Sequence, residues 1–213
     1  MKKSKAILMA LCAVLLVAAS VMGTLAYLTS TDTVTNTFTV GNVQIKLDEA
    51  KANTDGTLVE NADRVKANSY KLLPGHTYNK DPMVTVLKGS ESSYVKMTVT
   101  FSKAAALDAI FKPNGANLTS IFNGYDSANW IAKGNTEDTT ADTRTYEFWY
   151  KEAVAAPDGD VALDALFDSI TVPGTITKDQ LASIEGMTIT VNAYAIQADG
   201  FANAEAAWAA WTA

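Results

Sequence analysis

Residues 187–197 read MTITVNAYAIQ, and the alternation in that stretch decides the fold. Ile189, Val191, Ala193 and Ala195 fall on one face, with Tyr194 and Ile196 on the other. A period of two over this length marks a half-buried strand, because a helix would repeat its apolar positions every three to four residues. Working outward, Ser93 to Phe101 repeats the pattern with Val95, Met97, Val99 and Phe101 on one face, and Met83 to Leu87 gives a shorter strand. Arg144 to Lys151 sets Tyr146, Phe148 and Tyr150 opposite Glu147 and Trp149. These segments describe sheets with one face buried.

Nearer the N-terminus, Thr33 to Leu47 reads TVTNTFTVGNVQIKL, rich in Thr and Val and alternating. The apolar parity switches inside it, from Phe38 and Val40 to Val43, Ile45 and Leu47, so a bulge or hinge is expected at Gly41. Ala50 to Ser69 is a polar loop with a short strand near Thr57 to Val59, and Leu72, Leu73, Pro74 and Gly75 form a turn. Ser102 is the N-cap candidate for a helix over Lys103 to Phe111, which Lys112, Pro113, Asn114 and Gly115 stop. Leu118 to Phe122 reads as a further turn or strand, and Thr136 to Thr143 as a polar loop.

Beyond the turn at Pro157 to Asp160, VALDALFDSI (residues 161–170) has the spacing of an amphipathic helix, and Ile170 to Val172 returns to strand. Thr177 caps a short helix reaching Ile184 that Gly186 ends. Ala202 to Trp211 is a docking helix with Trp208 and Trp211 on one face. Strands joined by turns, with short helices between them, predict an all-β domain with short helical insertions. The arrangement is expected to be an antiparallel two-sheet jelly-roll sandwich, preceded by a signal-peptide helix.

That leading segment opens with Lys2, Lys3 and Lys5, runs apolar from Ala6 to Met22, and ends in Gly23, Thr24, Leu25 and Ala26. Charged, apolar and small-residue regions in this order are the layout of a secretory signal, with Thr24 and Ala26 three and one residues before the cut. Cleavage is expected between Ala26 and Tyr27, leaving residues 27–213 as a single domain whose first residues, 27–40, are a candidate arm. A retained membrane anchor is the alternative, although the apolar run is short against the span of about 20 residues that a bilayer needs.

The single cysteine, Cys12, lies inside the apolar run, so the mature chain has no thiol for a disulfide, a nucleophile or a metal site. Removing the signal lowers the basic count from 17 to 14 against 23 acids, which takes the net charge from −6 to −9. An acidic domain repels phosphate backbones, so nucleic acid is not an expected partner.

Catalytic chemistry is sparse. The one histidine, His76, sits beside the Pro74 and Gly75 turn, without a second imidazole or an HExxH pattern for zinc and without a GxSxG elbow. Asp158, Gly159 and Asp160 lack the ligand ladder of a calcium loop, and Glu137, Asp138 and Asp142 read as a solvated loop. Asn117, Leu118 and Thr119 match a glycosylation sequon at chance frequency. Trp130, Trp149, Trp208 and Trp211 suit core and docking roles more than a sugar platform. No enzyme activity, cofactor or metal is expected.

Three segments together carry a family likeness: GTLAYLTSTDTVTNTFTVGNVQIKL (23–47), LLPGHTYNKDPMVTV (72–86), and MTITVNAYAIQADGF (187–201) with the Ala/Trp helix after it. The chain resembles the TasA/camelysin family of secreted biofilm-matrix and cell-surface proteins of Gram-positive bacteria. The resemblance implies export through a SipW-type signal peptidase and a jelly-roll structural protein of the extracellular matrix or cell surface. It further implies a fibre in which the chain is its own partner, with other matrix proteins as possible companions and the membrane involved only through the uncleaved signal peptide. Its donor-strand arm would be Tyr27 to Val40, carrying Val34, Phe38 and Val40 ahead of the Gly41 hinge. A secreted or surface binding and adhesion module is the alternative. A camelysin-like surface metalloprotease is the second, from which this sequence departs in lacking a familiar zinc pattern.

N-terminal sequencing of the secreted protein should begin at Tyr27. A start inside Thr33 to Leu47 would contradict the expected cleavage site.

Overall fold

The computed structural model describes residues 41–111 and 121–211, together with Met9, Cys12 and Ala13. The expected cleavage site at Ala26 and Tyr27, the arm residues Val34, Phe38 and Val40, the helix stop at Lys112 to Gly115 and the sequon at Asn117 lie outside the described residues. The chain divides into two compact units, Met1–Val40 and Gly41–Ala213, and the strands below belong to the second.

Its elements are mostly strands, paired antiparallel. They run β1 (Ile45–Asp48), β2 (Thr77–Asn79), β3 (Met83–Val86), β4 (Ser90–Ser102), α1 (Ala104–Phe111), β5 (Trp130–Asp138), β6 (Thr143–Tyr150) and β7 (Val154–Ala156). After these come β8 (Val161–Ala162), β9 (Ser169–Thr171), α2 (Lys178–Ser183), β10 (Ile189–Gln197) and α3 (Ala204–Ala209). The largest sheet has the order β10-β4-β6-β5, with β7 pairing the start of β4. A second sheet has the order β1-β3-β8, and β2 pairs β9.

β4 organises this arrangement. Its alternating Val95, Met97, Val99 and Phe101 are all fully buried and meet Tyr146 and Phe148 of β6 and Val84 and Val86 of β3 in one apolar cluster. Burying each such side chain is worth about 1.5–3 kcal/mol. Phe122 joins the cluster as an aromatic hub, 4.4 Å from Phe167 and 5.7 Å from Tyr146 between ring centroids. The opposite face of the large sheet receives α3, whose Trp208 stacks 6.2 Å from Trp149 and lies under Lys96 Nζ at 4.6 Å. Trp130 takes the core role, almost wholly buried with Nε1 donating to the Asp164 carbonyl.

The structure corrects several expectations. The helix expected over 161–170 is instead β8 followed by irregular chain. Leu163, Leu166, Phe167 and Ile170 do face the core at helical spacing. However, Leu163 N–H donates to the Val84 carbonyl and Leu166 N–H to the Pro82 carbonyl, so the backbone bonds across to β3 and its approach. The polar loop expected at 136–143 is narrower than read: 139–142 form the turn, while 136–138 end β5, an edge strand whose residues after Trp130 are all exposed, so no apolar alternation marks them. Near Thr57 to Val59 only an isolated bridge, Ala52 to Leu58, forms.

Ser102 does not cap α1. Its hydroxyl accepts from Thr188 N–H, while Lys103 adopts φ 59° and Asp142 accepts the first helical N–H groups through its carbonyl and carboxylate. At α2 the expected Thr177 cap forms, reciprocated by Gln180. Gly41 lies ahead of β1 and outside the left-handed region, and a Cβ there would meet the exposed Glu91 side chain, Cγ at 3.0 Å, which would have to shift slightly.

Phe148→Ala should lower unfolding stability by about 3–5 kcal/mol in urea titrations, because the cavity lies among rings that cannot collapse. Ile131→Ser on exposed β5 should change it by about 0.5 kcal/mol or less.

Candidate functional site

The largest sheet ends at β10, and its outer edge pairs with no strand among the described residues. Ser102 N–H donates to the Thr188 carbonyl and Ala198 N–H to the Ser92 carbonyl, so in this register the even-numbered residues of β10 exchange bonds with β4. The N–H and C=O groups of Ile189, Val191, Ala193, Ala195 and Gln197 therefore point away from β4. Their side chains tell the same story: Phe101, Val99, Met97 and Val95 opposite them are fully buried, whereas Ile189, Val191, Ala193 and Ala195 are only half-buried. Among the described residues no strand covers the core along this edge.

Across the gap stands β1. It bonds β3 through Lys46 and Asp48, leaving Ile45 and Leu47 to face outward, half-buried like their counterparts in β10. Lys66 Nζ donates to the Leu47 carbonyl, and Glu49 exchanges two backbone bonds with Val65. Leu47 and Glu49 on one side, with Ile189 and Val191 on the other, line a cleft of about 370 Å³. It adjoins a larger groove of about 880 Å³ between residues 68–72 and 181–189, and Asn68, Lys80 and Ile189 line both.

The walls of this seam are held by charge. Arg64 Nε reaches Asp48 at 2.6 Å and its Nη1 reaches Asp81 at 2.8 Å, while Nη2 donates to both residues' backbone carbonyls. Ala50 N–H donates to the other Asp81 oxygen at 2.6 Å, so one arginine pins the irregular stretch after β1 to the approach of β3. Burial raises the Asp48 carboxyl, but the contacts of Lys46 and Arg64 outweigh it and hold the group below the ordinary carboxylate range. Lys80 and Glu49 form a second, more deeply buried pair at 2.5 Å. Burial pushes the Tyr70 phenol up, and the Glu49 charge beside it adds to the effect.

Gly41, expected as a hinge, precedes β1, with Asn42 C=O accepting from Glu91 N–H. His76 is exposed in its turn, and Asp160 accepts from Lys88 N–H. Sequence reasoning missed Arg64 and Asn68, single polar residues inside the stretch read as loop, and Glu49 and Lys80, which lie between the assigned elements. Among the described residues no group of three or more His, Cys, Asp or Glu could hold a metal ion, and no helix is long and apolar enough to cross a membrane.

Because the Asp48 carboxyl is depressed on folding, its contribution is fully present above the unfolded value of about 3.9 and is lost as pH falls through the folded value. Resistance to urea should therefore fall steadily below about pH 4, and Asp48→Asn should lower stability at pH 7 while flattening that acid slope. An unchanged slope in the variant would contradict this role. Comparison with known proteins returns no matching family model, no matching curated protein and no matching solved structure.

Proposed function

We propose that the chain is a secreted structural protein of the extracellular matrix or cell surface, a non-enzymatic subunit that polymerises by strand addition. The carrying observation is the seam between β1 and β10, where a row of outward N–H and C=O groups lies beside half-buried apolar side chains. An extended segment placed there gains main-chain hydrogen bonds and covers the open core, the combination that defines recognition by an added strand. Left bare, the same edge is an aggregation site, so a protein that keeps one has a use for it.

The occupant proposed is the Tyr27–Val40 segment of a second copy, released by cleavage after Ala26. Thr33 to Val40 alternates Thr with Val34, Asn36, Phe38 and Val40, which suits a strand with one face toward an apolar floor and the other toward water. The two sheets with an added strand would form the closed jelly-roll sandwich expected from the sequence. A secreted binding module is the second reading, favoured by the aromatic patch of Trp149, Tyr194 and Trp211 with Lys133 Nζ 4.0 Å over the Trp149 ring.

Fibre length by electron microscopy, with monomer melting measured alongside, tests the proposal. Phe38→Asp should abolish long fibres while leaving the monomer's melting temperature nearly unchanged. Ala193→Pro removes an outward donor but no bond to β4, and it should also block polymerisation. Normal fibres from both variants, or a monomer destabilised by Phe38→Asp, would refute the mechanism.

A further inference from the structure

At the meeting point of the two clefts three side chains are arranged as a reaction site. Glu49 and Lys80 are both over nine-tenths buried. Lys80 Nζ donates to Glu49 Oε2 at 2.5 Å, and Asn68 Nδ2 donates to Glu49 Oε1 at 3.0 Å, so an amine and a carboxamide flank one carboxylate. The Asn68 amide is also fixed in orientation. Its Oδ1 accepts from Ala52 N–H at 2.9 Å, and its Nδ2 donates again to the Ala50 carbonyl at 2.8 Å. The amide oxygen thus faces a backbone donor and its nitrogen faces an acid.

We propose that this is a self-modification site at which Lys80 and Asn68 join through an intramolecular isopeptide bond, with Glu49 as the general acid and base. Glu49 takes a proton from the Lys80 ammonium along the Nζ–Oε2 contact and frees the nitrogen lone pair. Nζ then attacks Asn68 Cγ. The negative charge that develops on Oδ1 is met by Ala52 N–H, a donor already in place before reaction. Glu49 returns the proton to Nδ2 through Oε1, the Cγ–Nδ2 bond breaks, Glu49 takes the second proton from Nζ as the amide forms, and ammonia leaves carrying that proton as ammonium. The lysine ammonium and the asparagine carboxamide become a secondary amide and an ammonium ion, with no oxidant or cofactor.

Proximity supplies the drive, because three groups held by packing replace a bimolecular encounter. Asn68 and Lys80 both line the clefts, which gives the ammonia a way out. The bond would tie the 66–72 wall of the seam to the β2–β3 connection, and it stands whether or not the chain polymerises. A passive ion pair with a hydrogen-bonded amide is the competing account.

Mass spectrometry of the purified mature protein separates the two. The intact mass should be lower than the sequence mass by one ammonia. Trypsin should yield a branched species joining residues 67–71 to residues 72–88, since an acylated Lys80 is not cleaved. Glu49→Gln should restore the full mass of its own sequence and release residues 67–71, 72–80 and 81–88 as separate peptides, as should Asn68→Ala. Wild-type protein at full sequence mass with no branched peptide would overturn the proposal, independently of how the variants fold. A bond that persists in Glu49→Gln would overturn the role given to Glu49.

Discussion

β4 is the strand on which everything else in the described structure depends. It is paired along both edges, by β10 on one side and by β6 and β7 on the other, and its inner face is wholly removed from water. Hydrogen bonds on two sides and apolar contacts on a third fix its register, since a slip by one residue would turn Val95, Met97, Val99 and Phe101 outward. The neighbours inherit that register, and with it the assignment of which β10 groups face β4 and which face away.

From this follows an asymmetry between the two ends of the large sheet. β5 closes one end with a solvent-facing strand whose exposed residues include Lys133, Glu137 and Asp138, a charged edge that discourages pairing. β10 closes the other with no such protection, and its inner side chains reach only half-burial because β1, across the gap, belongs to a different sheet. The charged residues near the seam are engaged elsewhere: Arg64 with Asp48 and Asp81, Lys80 with Glu49. Their pairing shapes a firm wall without blocking the β10 edge. A buried ion pair is weak evidence for stability, and a register or chemical role explains it better.

The strands with a clean period of two, β3, β4, β6 and β10, were legible in the sequence because one face of each is buried and the other is not. α2 was legible through Thr177 as its cap and Gly186 as its stop; the reciprocal bond from Gln180 appears only in the structure. The failures have physical causes. β5 has no buried face after Trp130, so nothing in its side chains records that it is a strand. Residues 161–170 bury the same positions a helix would, while their backbone bonds go to β3. The α1 cap comes from Asp142, remote in sequence, and the site residues Glu49, Arg64, Asn68 and Lys80 are brought together by a loop whose path no local pattern encodes. The open edge itself is a property of topology, visible only once strand order is known.

The central claim is that the outer edge of β10 is an acceptor for a strand from another copy. Residue-resolved amide hydrogen exchange on the mature protein, compared between monomer and assembled fibre, tests it most directly. The account predicts that Ile189, Val191, Ala193 and Ala195 exchange rapidly in the monomer and become protected in the fibre, while Thr190, Asn192 and Tyr194, bonded to β4, are protected in both. Equal protection of both sets in the monomer, or fibres in which the odd-numbered amides stay unprotected, would contradict it.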